Sequence, residues 1–78
     1  MKNLEGTIAE NLKLALVKTR KTQTETAIAL GIGKSKMSDV LAGRAELSAL
    51  ELYAASRFFG VTTDWFAEEH LSEVVTAA

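Results

Sequence analysis

The chain has 78 residues, of which 47% are hydrophobic and 24% charged, with a formal net charge of −1; these proportions describe one small globular domain and exclude a disordered polyelectrolyte. It contains neither cysteine nor proline, which excludes disulfide staples and thiolate metal sites and fits the reducing cytoplasm expected as its location. No apolar run approaches the roughly 18 residues of a membrane span, and the first residues lack the apolar centre of a signal peptide.

Five helices and no sheet are expected, in a single domain over residues 1–78 with its core at about 7–69 and a tail at 70–78. Helix one is predicted to start at Thr7, where Thr7 and Glu10 match a capping box, and to run to about Thr19. Ile8, Leu12, Ala15 and Leu16 form its inner face, and Leu14 and Val17 lie off it. Helix two opens on a second box, Thr22 with Glu25, and turns Thr26, Ala27 and Leu30 inward before Gly31 stops it. Glycine tolerates the left-handed backbone that follows a helix, so the chain can turn there and start helix three near Lys34. Met37, Val40 and Leu41 share the inner face of that helix, while Ser35, Asp39 and Ala42 project from the other side, and Gly43 closes it. Ser48 and Glu51 cap helix four, whose expected inner face is Ala49, Leu52, Tyr53, Ser56 and Phe59 up to Gly60. Thr62 caps helix five, Asp64 suits its positive end, and Phe66 closes the bottom of the core. Beyond Glu69, residues His70 to Ala78 either continue the helix or fray.

Residues Thr22 to Arg44 resemble the helix-turn-helix of lambda-repressor and Cro-like regulators, the XRE family. The resemblance rests on Thr22, Gln23, Ala27, Gly31, Ile32, Ser35, Met37, Ser38, Val40, Gly43 and Arg44 in register. It extends upstream through Asn11, Leu12 and Lys13, and downstream from Ser48 to Phe59 and then Gly60, Val61, Thr62 and Asp64, about four fifths of the chain. The chain departs from the pattern at Lys21 and Thr26, where the family usually has Leu, at Gly33, often a Ser or Thr cap, and at Leu16, often an Arg. The resemblance implies a compact, all-α, five-helix lambda-repressor-like domain with a helix-turn-helix formed by helices two and three. It also implies a dimeric, sequence-specific regulator of a bacterium or phage, which represses transcription by placing helix three in the major groove of a near-palindromic double-stranded operator.

On that reading the base-facing residues are Lys34, Ser35, Lys36 and Asp39. Lysine can donate to guanine O6 and N7, and serine can pair with several bases. Asp39 either orients Lys36 or Lys34, or accepts a bond from cytosine N4, or simply balances local charge. Thr22, Gln23, Ser38, Gly43, Arg44 and Lys21 are the phosphate-facing set, in keeping with the anion-binding habit of helix starts and of flanking basic residues. Lys18, Arg20 and Lys21 form a basic run beside them. The distribution of charge supports this placement: residues 1–44 hold eight Lys or Arg against four acids, a net +4, and residues 45–78 one Arg against six acids, a net −5.

A second apolar stripe, Leu50, Ala54 and Phe58 with Trp65 beside it, is expected to be a homodimer seam unless Leu71, Val74 and Val75 fold over it. The rival reading is a protein-interaction module or antitoxin of this fold, gripping a protein partner through the C-terminal half. Neither cofactor nor metal is expected, and no nucleophile and base pair points to catalysis; His70, the single histidine, is expected to be solvated.

Overall fold

Local capping chemistry sets most of the helix boundaries. The computed structural model describes residues 4–70, which form α1 (Leu4–Thr19), α2 (Gln23–Leu30), α3 (Lys34–Leu41), α4 (Ala49–Phe59) and α5 (Thr63–Ala67), with no strand among the described residues. Both expected boxes at α2 and α4 form: Thr22 and Ser48 each accept the N–H of the Glu three residues on, and each Glu reaches back to the cap N–H. At α5 the Thr62 hydroxyl accepts the Trp65 N–H. The expected start at Thr7 is incorrect. The helix already runs from Leu4, since Leu4 and Glu5 are good helix formers, and Thr7 is a buried residue inside it.

The helix ends show what the turns require. Gly31 takes φ +72°, and the N–H groups of Gly31 and Ile32 return to the carbonyls of Ile28 and Ala27, satisfying two orphan acceptors at the end of α2. α1 ends in the same way but without a glycine. Arg20 carries φ +57°, with N–H groups of Arg20 and Lys21 donating to the Val17 and Leu16 carbonyls. An L side chain in that region is strained, so Arg20→Gly should raise stability by about 0.5–1 kcal/mol, read as a higher melting temperature. An unchanged or lower value would show that the arginine side chain compensates for its backbone.

α1 packs on α3 and α5, α2 packs on α3 and α4, and α4 also meets α5. Leu12, Ala15, Ala27, Leu30, Met37, Val40, Leu41, Ala55, Phe59 and Phe66 form the core at the centre of these contacts. Thr26, expected on the inner face of α2, is fully buried, and its hydroxyl donates to the Thr22 carbonyl at 2.7 Å, so its polarity is satisfied within the helix. Asn11 fastens the two ends of the domain. It is buried on α1, and its amide nitrogen donates to the carbonyls of Phe66 at 2.7 Å, Glu68 at 2.6 Å and Trp65 at 3.2 Å.

Three further expectations need correction. The inner face of α4 is Leu52, Ala55, Ser56 and Phe59, whereas Ala49 and Tyr53 are exposed. Ala55 is small enough to let the neighbouring helices approach, and the ring of Tyr53 is left on the outside. Ala54, Phe58 and Trp65 do not stand free as a stripe, because all three are half-buried against the chain's own core. His70 is not simply solvated: its ring stacks on Trp65 at 4.2 Å and its Nε2 lies 2.8 Å from the Trp65 carbonyl. Leu71, Val74 and Val75 lie outside the described residues.

Candidate nucleic-acid interface

The α2–α3 pair presents a largely polar surface because most apolar residues of both helices face the core, Ile28 of α2, 76% exposed, being the exception. Thr26, Ala27 and Leu30 of α2 and Met37, Val40 and Leu41 of α3 are buried. Periodicity then turns Gln23, Thr24, Lys34, Ser35 and Ser38 outward, and all five are exposed. Gln23, Thr24, Lys34 and Ser38 line one open cleft of about 330 Å³, floored by Ala27 and Met37. The N-terminal turns of both helices meet there, so unpaired backbone N–H groups and side-chain donors converge on the same space. Thr24 was not among the expected residues, although its exposed first-turn position beside Gln23 is readable from the helix boundary.

The remaining expected residues are held by partners. Lys36 does not point freely outward; its Nζ donates to Glu51 Oε1 at 2.8 Å and Oε2 at 3.1 Å. Asp39 orients neither Lys34 nor Lys36. It accepts from Arg44, with Nη2 at 3.0 Å and Nε at 3.3 Å from Oδ1, because the Gly43 turn (φ +78°) brings Arg44 back over the end of α3. The Arg44 N–H donates to the Asp39 carbonyl at 2.8 Å in the same turn. Lys21 is half-buried with Nζ 4.7 Å from the centre of the Phe58 ring, a cation–π contact. The Thr22 hydroxyl is engaged by Glu25 as a cap, and Gly43 contributes only backbone. Lys36, Gly43 and Arg44 line a second open cleft, of about 550 Å³, together with Ala45 and Glu46.

Glu51 has two tasks, capping α4 and holding Lys36. The Lys36 ammonium, helped by the Ser48 N–H and opposed by partial burial, holds its carboxyl below the ordinary 4.5. The folded protein therefore binds this proton less readily than the unfolded chain, and the stabilisation is complete above about 4.5 and lost as pH falls through the lowered folded value. Replacing Glu51 by Gln should lower the melting temperature at neutral pH and flatten its acid decline. Parallel pH profiles for the two proteins would contradict this.

Among the described residues no group of three or more metal-ligating side chains occurs, and no helix is long and apolar enough to cross a membrane. Comparisons with family models, with curated proteins and with solved structures find no match to this chain.

Proposed function

We propose that this chain is a sequence-specific, double-stranded DNA-binding regulator of the lambda-repressor and Cro-like kind. In this reading α2, the Gly31 turn and α3 are the helix-turn-helix, and α3 enters the major groove as the recognition helix. Its main support is the exposed set Gln23, Lys34 and Ser38 around one cleft, with Ser35 exposed beside Lys34, on a helix pair that buries Ala27, Leu30, Met37, Val40 and Leu41 in the core. Lys34, Ser35 and Ser38 face the bases, with Gln23 and Arg44 on flanking phosphates. Titrating the protein into a labelled duplex tests the reading. Affinity should fall steeply as salt rises, since released counterions drive phosphate binding, and an absence of binding at low salt would end it.

The regulator acts as a homodimer on a near-palindromic operator, repressing by occlusion. Docking of such a dimer on one side of the duplex requires its two α3 helices to lie about 34 Å apart, one turn of the duplex. Leu50, 80% exposed, and Tyr53, 56% exposed, supply the seam on α4. Sedimentation of Leu50→Asp should give half the mass of the parent; equal masses would remove α4 as the seam. The same exposed pair, with Lys36 and Arg44 already held by carboxylates, is what favours the second reading, a module of this fold that grips a protein partner. Salt-independent capture of a protein with no DNA binding would favour it.

A further inference from the structure

We infer that Lys36 and Arg44 form a two-point seat for a backbone phosphate, and that Glu51 and Asp39 are its positioning residues. The inference rests on the DNA-binding reading above, and it moves Lys36 from base reading to phosphate contact. Both cations line the same open cleft, with the Gly43 backbone between them. Each is fixed from behind by one carboxylate: Glu51 holds Lys36 through both oxygens, and Asp39 holds Arg44 through two guanidinium nitrogens. Lys36 Nζ keeps one further donor and Arg44 its second terminal nitrogen, enough to bind a tetrahedral oxyanion while the carboxylates stay in place. The Lys36 side chain is 40% exposed and the Arg44 side chain 66%, so both remain reachable by solvent and by a ligand.

Carboxylates near DNA have two opposed effects. Their charge repels phosphate, while their grip removes the rotamer freedom that a long basic side chain would otherwise lose on binding. Lys36 and Arg44 line the cleft and Glu51 and Asp39 do not, so each cation's own charge screens the repulsion and the positioning effect dominates. Glu46 provides the contrast. It lines the same cleft but holds no cation among the described residues, so it only repels.

The test compares three carboxylate variants, Lys36→Ala and the Lys36→Ala/Glu51→Gln pair with the parent chain on a labelled mixed-sequence duplex, each first checked for its helical signal and melting temperature. Glu51→Gln keeps the α4 cap, because glutamine can also complete a capping box. Although each carboxylate variant removes one negative charge, Glu51→Gln and Asp39→Ala should weaken binding about threefold or more, whereas Glu46→Gln should tighten it. Lys36→Ala should reduce the slope of log affinity against log salt by about 0.9, the value of one lost phosphate contact. In that background Glu51→Gln should no longer weaken binding, which places its effect on Lys36 rather than on stability. Tightening by Glu51→Gln and Asp39→Ala to the same extent as Glu46→Gln would overturn the proposal, because the acids would then act as charges alone. Failure of the parent to bind the duplex would overturn the DNA-binding reading first, and is visible before any variant is made.

Discussion

Asn11→Asp should remove much of the domain's stability at neutral pH and recover part of it in acid. The reason is the company that side chain keeps: its amide nitrogen faces three backbone carbonyls, of Trp65, Phe66 and Glu68. Only a donor fits there, which also fixes the orientation of the amide. A carboxylate would bring a buried, unpaired negative charge against three acceptors, at a cost on the order of 3–5 kcal/mol. Set against the roughly 4–12 kcal/mol expected of a chain this size, that is much of the total stability. Protonation in acid restores one donor, hence the partial recovery. Asn11→Ala introduces no charge but takes the amide donor away from the Phe66 and Glu68 carbonyls, the Trp65 carbonyl keeping the Glu68 N–H, and should cost about 2–3 kcal/mol. Trp65, the single tryptophan, reads the event directly because it sits on α5. An Asn11→Asp protein that melts and fluoresces like the parent would show that α5 is held by its aromatic contacts alone, the edge-to-face packing of Trp65 on Phe66 at 5.2 Å and of Phe59 on Phe66 at 6.3 Å.

Lys34→Ala should abolish preference among duplex sequences while leaving the fold intact. Lys34 is the first residue of α3, exposed, and makes no ion pair among the described residues. Unlike Lys36 and Arg44, it is not committed to a carboxylate. A well-placed lysine on guanine O6 and N7 is worth about 1–3 kcal/mol of discrimination, so affinity for a preferred duplex should fall about 10- to 100-fold. Binding to an unrelated duplex should change far less. A uniform loss on both duplexes, with the salt slope reduced by about one, would instead make Lys34 a phosphate contact.

The features legible in the sequence were those whose chemistry is local. The boxes at Thr22–Glu25 and Ser48–Glu51, the Thr62 cap and the left-handed Gly31 and Gly43 each depend on a few consecutive residues. The inner faces of α2 and α3 followed from spacing because their apolar residues are few and distinct. α4 was misread where size and burial part company: Tyr53 offers more apolar surface than Ala55, yet only the smaller side chain fits between packed helices. The reach of Lys36 to Glu51 joins α3 to α4 across 15 residues, and nothing local signals it once Glu51 is read as a cap. The Asp39–Arg44 pair depends on the backbone reversal at Gly43, which the sequence did show but whose consequence for the side chains needs three dimensions. The left-handed Arg20 was likewise hidden, since glycine, not arginine, announces such a turn.

The exposed side of α3 carries the whole functional account, and selection from a random duplex library with the full chain tests it most directly. Enrichment of one near-palindromic site is expected, with half-sites about one helical turn apart and a preference that Lys34→Ala erases. Recovery of no common sequence, or of a site whose preference survives the joint replacement of Lys34, Ser35 and Ser38 by alanine, would contradict it.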